Sequence, residues 1–359
     1  MSETLTNIQT KRFMYRIIIS VAAVFLMLSC NRISSHEEDG RITLSAIVKD
    51  MGGVESKAAD PFEGITTTKS LNAKVLFSFN AGVYTNAAEE PWYIPSHTGV
   101  SYSGSDLTFI KYEGKDVIYP TSTDIASGHT GTVYCTGLYP DTGWEFYNDN
   151  EGTSASHIID GSADIMFADQ ISGTWADPFT VQEYSHLQTW IRVLASANTI
   201  DAGAQWGKIQ KVTIESSDAI NITFPEENET STVRYSDTMT DIVVYDKDTD
   251  SENPEGRSLS ITTSPLGEVF VSPQTTLTVT VYTSTFPEKI DSEGNVTGGK
   301  TVEIQLHDIS NNIISESEIS EKVTGHLFVL NLNFNPLSII EGVCTLQYWN
   351  DQDEDIYLE

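Results

Sequence analysis

The sequence predicts an all-β protein built from antiparallel β-sandwiches. Three observations point there. Apolar and polar residues alternate with a period of two in many short segments. Those segments are rich in Val, Ile, Thr, Tyr and Phe, which suit a pleated surface. Clusters of Gly, Asn, Asp, Ser and Pro separate them, as turn chemistry requires. Many short strands with polar turns bury one face of each sheet against another sheet, which is a sandwich.

The elements follow in order along the chain. In ITLSAIV (42–48), Ile42, Leu44, Ala46 and Val48 alternate with Thr43, Ser45, Ile47 and Lys49. Further strands are expected at AKVLFSFN (73–80), GTVYCTGLYP (131–140), QTWIRVLA (188–195), KIQKVTIESS (208–217), TLTVTVYTS (276–284), TVEIQL (301–306) and HLFVLNLNFN (326–335). No long segment has a helical period. A short helical turn is expected in 315–323, where Glu residues gather near Lys322. YDKDTDSENPEG (245–256) is a low-complexity insert, and EKIDSEGNVTGGK (288–300) reads as a hairpin or exposed loop. The chain has 359 residues, enough for two domains. Gly173 and Pro178 punctuate the best boundary, and a fresh set of strands starts at Phe179. The expected division is 42–176 for an N-terminal β-sandwich and 177–359 for a C-terminal one.

Residues 1–29 read as an export signal. Lys11, Arg12 and Arg16 precede an apolar core, residues 17–28, that is shorter than the about 20 residues needed to span a bilayer. The run LMLS ending at Cys30 resembles a bacterial lipobox, with Met27 where leucine is commoner. That resemblance implies lipidation of Cys30 and a lipid anchor in the outer membrane; the alternative is an ordinary signal peptide with an incidental cysteine. Residues 30–41 read as a flexible acidic tether. Its run His36, Glu37, Glu38, Asp39 is also similar to surface-export signals of some anaerobic bacteria.

The net charge is −31. The leader holds three of the 20 basic residues and one of the 51 acidic ones, which leaves 17 against 50 in the mature chain. Such a balance argues against nucleic acid and against a bare anionic membrane surface. Cys135 and Cys344 lie far apart, with no CxxC and no Cys/His spacing, so two buried free thiols are expected rather than a disulfide framework.

The chain carries few patterns that imply chemistry. Asp246, Asp248 and Asp250 have the spacing of the first three ligands of a calcium loop, but Ser251 stands where glycine is needed and Arg257 where glutamate is needed. A solvated loop is the better account, and Asp351, Asp353 and Asp355 fare no better. No HExxH, GxSxG, phosphate-loop or dinucleotide pattern occurs. His186 and His326 fall in or beside strands and read as hydrogen-bonded structural groups. With 50 mature carboxylates, no glycosidase-type pair stands out. Trp92, Trp144, Trp175, Trp190, Trp206 and Trp349 are spread over the chain, mostly as expected core or turn residues. No catalytic residue, cofactor or metal is implied.

The order of these segments resembles the fimbrillin family, the type V pilin-like subunit lipoproteins of anaerobic gut and oral bacteria. The resemblance runs from about Ile42 to Trp349. It comprises ITLSAIV; a loop with a basic residue before alanine, Ser56, Lys57, Ala58; KVLFSFN; VIYP (117–120); VYCTGLYP; SADIMFA (162–168); FTVQEYSHLQTWIRVLAS (179–196); KIQKVTI; GHLFVLNLNF; and GVCTLQYW (342–349). Leu187 replaces a small residue of the family pattern, and Thr189 and Trp190 are atypical. The resemblance implies two transthyretin-like antiparallel β-sandwich domains. It also implies assembly with other fimbrial subunits by protease-triggered exchange of the first strand. The family's cut usually follows arginine, whereas the loop after Val48 holds Lys49, Lys57 and Lys69 and no arginine. Lys57 matches the position best and Lys69 is the alternative; an uncut subunit would fit an anchor or tip role. In the C-terminal YWNDQDEDIYLE, Tyr348, Ile356 and Leu358 flank a run holding four acids, a poor filler for an apolar slot. The function expected is a non-enzymatic structural or accessory subunit of surface fimbriae. The alternative is a surface glycan-binding lipoprotein, which would show exposed, coplanar Trp or Tyr on one face.

Overall fold

A computed structural model describes residues 42, 44–48, 71–84, 98–103, 106–109, 119–120, 131–149, 152–179, 181–225 and 229–347. Strands dominate. In chain order they are β1 (Ser45–Val48), β2 (Leu71–Ser78), β3 (Thr98–Ser103), β4 (Asp106–Phe109), β5 (Val133–Tyr139), β6 (Trp144–Asp149), β7 (Gly152–Ile158), β8 (Met166–Gly173), β9 (Val181–His186) and β10 (Thr189–Ala197). Helix α1 (Ile200–Trp206) follows, then β11 (Lys208–Ser217), β12 (Ala219–Thr223), β13 (Thr232–Tyr235), β14 (Met239–Asp246), β15 (Arg257–Ser258), β16 (Ser264–Val271) and β17 (Thr276–Thr283). The chain continues through β18 (Glu288–Ile290), β19 (Val296–Gly298), β20 (Lys300–His307), α2 (Ile319–Lys322), β21 (Leu327–Asn335) and β22 (Ile339–Leu346). The protein is all-β in class.

Seven strands close a barrel in the order β1-β4-β3-β2-β5-β8-β9. The largest sheet runs β14-β11-β17-β20-β22-β21-β10-β16, with β15 beside β11. Its middle is apolar on both faces. β10, TWIRVLASA, pairs antiparallel with β16 and parallel with β21. Ile191, Val193 and Ala195 feed one core while Trp190 packs with Phe270 and Leu327 on the other side. A strand covered on both faces needs this near-continuous apolar run. The chain passes from barrel to large sheet between His186 of β9 and Thr189 of β10. The Gly173 and Pro178 punctuation marks the turn between β8 and β9, within the barrel.

A third sheet ties the two together. The β6–β7 hairpin leaves the barrel between β5 and β8. The β12–β13 hairpin leaves the large sheet between β11 and β14. They pair along β7 and β12, from Ala219 opposite Ile158 to Thr223 opposite Ser154, in the order β13-β12-β7-β6. The inward residues Trp144, Ala155, Ile220, Ile222 and Phe224 join one continuous core that includes Leu76 and Leu138 of the barrel and Leu330 and Leu346 of the large sheet. Phe224 stands edge-on to Tyr84 at 5.0 Å between ring centroids.

Beside this sheet the chain crossing is fastened by side chains. His186 Nδ1 lies 2.9 Å from Asp164 Oδ2, both buried. Ile165 N–H donates to Gln188 Oε1, and Leu187 N–H donates back to Ile165 O, each at 2.9 Å. Tyr235 O–H donates to Leu187 O.

Among the described residues, two short α-helices accompany the strands. The α2 turn falls where Glu316, Glu318 and Lys322 cluster, and Ser315 and Glu318 form a capping box at its entry. Helix α1 has no period-two or long helical signature. Thr199 Oγ1 caps it by accepting from Ala202 N–H, and Gly207, at φ +74°, ends it. Trp206 anchors it, donating Nε1–H to Asn335 O at 2.8 Å and lying edge-on to Phe334 at 5.1 Å.

The large sheet curls until β16 reaches β14. A Cβ on Gly267 would sit 2.3 Å from Val244 O, a backbone atom that cannot step aside. Gly267→Ala is therefore expected to destabilise the protein by about 1–3 kcal/mol through overpacking. The urea midpoint checks this; an unchanged midpoint would mean that the curl is looser than described.

Candidate functional site

β1 is four residues long, SAIV. Its alternation decides its burial: Leu44 and Ala46 point inward at 3% and 4% exposure, whereas Ile47 is 55% exposed. On one edge it pairs in parallel with β9, from Ser45 opposite Val181 to Val48 opposite Tyr184. On the other edge, the described residues pair at a single position, Ser45 opposite Asp106 of β4. β1 therefore closes the barrel by one ladder. Parallel pairing is slightly weaker per residue than antiparallel. Leu44 contributes about 1.5–3 kcal/mol of burial, and Ala46 about 0.8. By these measures β1 is lightly held, and it lies next to the strand that crosses to the large sheet.

The barrel wall facing inward from β9 is partly polar. Gln182 and Tyr184 are fully buried. Gln182 Nε2 donates to Cys135 Sγ at 3.1 Å, and Tyr184 O–H donates to Gln182 Oε1 at 3.2 Å. Gly137 of β5 makes room for that phenol: a Cβ there would lie 2.1 Å from Tyr184 Oη. Removing β1 would strip backbone partners from β9 while leaving this buried network behind it. An open edge of that kind is a ready template for another strand.

At the rim of β5 and β8 a polar cleft of about 330 Å³ is lined by Thr132, Tyr134, Gln170, Ser172, Asp177 and Glu229, among others. Its floor follows the register that sets Tyr134 opposite Ser172 and Val133 opposite Gly173. Thr174 and Asp177, both lining residues, close a turn by two bonds: Thr174 N–H to Asp177 O at 2.9 Å, and Asp177 N–H to Thr174 Oγ1 at 3.1 Å. That turn carries Trp175, which is 44% exposed.

The residues singled out in the sequence fare differently. Cys30, Lys57, Lys69, Trp92, Trp349 and the acidic C-terminal run lie outside the described residues. Cys135 and Cys344 are buried and free, as expected. His186 is held by Asp164, and His326 Nδ1 lies 2.9 Å from Thr324 O, so both are hydrogen-bonded. Residues 288–300 form the β18–β19 hairpin and its following turn. In the insert 245–256, Asp250 receives hydrogen bonds from Arg257 Nε, Asn253 N–H and Nδ2, and Glu252 N–H. The Arg257 hydrogen bond leads in holding its carboxyl below the usual range. The residue that spoils the calcium-loop pattern thus satisfies the carboxylate itself. Among the described residues no three His, Cys, Asp or Glu side chains gather as a metal site. Trp144, Trp190 and Trp206 are buried, which leaves Trp175 as the exposed tryptophan among those described. The Gln182–Tyr184 network and the cleft were not anticipated, because both join residues remote in sequence.

No family model matches the chain, and no curated protein does. Solved structures do resemble it. A candidate cell adhesion protein from Bacteroides uniformis is 14% identical, with 88% of this chain and 100% of that chain covered and a TM-score of 0.46. A fimbrial protein from Bacteroides ovatus is 11% identical over 86% of this chain and 50% of that one, at 0.30. A candidate polysaccharide-binding protein from Bacteroides thetaiotaomicron is 8% identical over 88% and 99%, at 0.38.

Burial raises the thiol pKa of Cys135 and of Cys344, so almost no thiolate exists near neutrality. Iodoacetamide at mildly alkaline pH is expected to leave both unmodified in the native protein and to label both in denaturant. Peptide mass mapping checks this; rapid native labelling of Cys135 would show that the barrel opens readily beneath β1.

Proposed function

We propose that this protein is a non-enzymatic structural or accessory subunit of bacterial surface fimbriae that assembles by exchange of its first strand. In this reading the chain is exported, lipidated at Cys30 and held at the outer membrane. Its body comprises two transthyretin-like β-sandwich domains. A surface protease cuts after Lys57 or Lys69, β1 departs, and an extended segment of another subunit takes its place.

One observation carries the reading: among the described residues, β1 is bound along β9 by a four-residue parallel ladder and meets β4 at one residue pair. A donor of about ten residues that buries about five side chains would contribute roughly 8–15 kcal/mol before ordering costs. Leu44, just before β1, and Ala46 within it supply less than that. A longer strand therefore displaces a shorter one once the covalent link that favours β1 is cut. The order of fimbrillin-like segments in the sequence supports the same reading. The polar cleft at the rim of β5 and β8 favours glycan binding as a second reading.

Limited digestion with a lysine-specific protease tests the proposal. The expected result is one early cut between Lys49 and Lys69, followed by high-mass species that resist SDS. A cut with no change in association, or degradation at scattered sites, would overturn strand exchange. The N-terminal residue of protein recovered from cells locates the processing: Ala58 or Ser70 marks a cut chain, and modified Cys30 an anchored, uncut one.

A further inference from the structure

We propose that Gln182 selects the strand that replaces β1, by admitting only a small side chain at the position opposite it. The incoming segment is then an extended strand of the pattern large-x-large-x-small, laid parallel to β9. The inference rests on the strand-exchange reading and names the kind of partner that exchange requires.

An exchanged strand has to be held in one register as well as in one place. Main-chain hydrogen bonds do not distinguish registers, and a slip of two residues keeps the same face of the strand inward. The groove wall must therefore tell one inward position from the next. In ITLSAIV (42–48) the inward residues are Ile42, Leu44 and Ala46, at 1%, 3% and 4% exposure, with Val48 half-buried. Ile42, Leu44 and Val48 are bulky, and Ala46 is small. The parallel ladder sets Ala46 opposite Gln182 and Val48 opposite Tyr184. A slip of two residues in either direction would bring Leu44 or Val48 against Gln182 instead.

Gln182 has little room to yield. Paired residues on neighbouring strands share a face and lie about 4.8 Å apart, so the Ala46 methyl group meets the Gln182 side chain. That side chain is fully buried, and both ends of its amide are engaged. Its Nε2 donates to Cys135 Sγ, and its Oε1 accepts from Tyr184 O–H. Tyr184 is backed by Gly137, where even a Cβ would fall 2.1 Å from the phenol oxygen. Cys135 is buried in β5, paired with Phe77 of β2 on one side and Ile171 of β8 on the other. A leucine opposite Gln182 must break this network or lift the strand from its ladder. Interiors packed this closely do not absorb added methylenes freely. The outward positions ask less: Ile47 is exposed in register with exposed Glu183. The groove thus reads side-chain size at one inward position and tolerates varied sequence on the outward face.

Two measurements test the selection and separate it from the exchange beneath it. In the intact mature protein, urea midpoints are compared for Ala46→Leu, Gln182→Ala and the double variant. Ala46→Leu is expected to lower the midpoint, and to lower it less where Gln182→Ala has already cleared the space. Equal losses in both backgrounds would overturn the selection, whether or not strands exchange. In protein cut by the lysine-specific protease, a fluorescent peptide of residues 41–49 is followed by polarisation. The parent peptide is expected to bind, and the peptide carrying Ala46→Leu to bind with a Kd about tenfold higher or more. Equal Kd values would overturn the selection and leave exchange standing. Binding of neither peptide would overturn the exchange reading and this inference with it. The peptide comparison uses the parent protein alone, so it decides the matter even where Gln182→Ala does not fold.

Discussion

The ladder between β7 and β12 is the constraint on which the molecule depends. Each strand belongs to a hairpin that interrupts a different sheet, so neither sheet can shift without breaking that ladder. The core behind it is continuous from Leu76 to Leu346, and Asp164, His186 and Gln188 fasten the chain crossing at its side. Removing one partner of that buried pair leaves the other unsatisfied, at a cost of about 1–3 kcal/mol. Rigidity is concentrated where the barrel meets the large sheet.

The β1 seam of the barrel is built otherwise. Among the described residues β1 shares no pairing with the bridging sheet, and its outward residue Ile47 is exposed. Local openings are cheapest where few apolar groups are buried and where a ladder runs on one side only. β9 bears the consequence. With β8 paired on one edge, it keeps its place and presents a fixed parallel template on the other. The buried Gln182, Tyr184 and Cys135 network ties the inner face of β9 to β5. The proposed exchange therefore asks one short strand to leave, and leaves the acceptor largely formed.

The strands with a strong alternating pattern were legible in the sequence. Residues 73–80, 131–140, 188–195, 208–217, 276–284, 301–306 and 326–335 overlap β2, β5, β10, β11, β17, β20 and β21, which carry the cores of both large elements. The bridging strands were not legible. GTSASHI of β7 has almost no apolar residue to mark its inward face, and AINIT of β12 is five residues long. Their pairing is a tertiary choice that no local pattern encodes. Helix α1 spans two turns and is fixed by Trp206 against Asn335 and Phe334, contacts separated from it by more than a hundred residues. Gly173 and Pro178 were visible as punctuation, and they fall at the turn between β8 and β9. The candidate cleft was hidden for the same reason as β7: Thr132, Gln170 and Glu229 meet only after folding.

Strand exchange and glycan binding use different parts of the barrel and place different demands on them. Exchange needs a weak strand over a persistent groove. Glycan binding needs a persistent cleft. β8 supplies the second through Gly173 and Gln170, and β9 supplies the first through its edge toward β1. The two strands are neighbours, paired from Met166 opposite His186 to Ala168 opposite Tyr184. That short antiparallel ladder stands between seam and cleft, and its three residue pairs sit at the end nearest the chain crossing. The turn at 174–177 lies at the other end, where Gly173 pairs with Val133 of β5 instead. Loss of β1 from β9 therefore leaves the β5–β8 floor of the cleft with its own partners, so a subunit whose first strand has been replaced retains that floor.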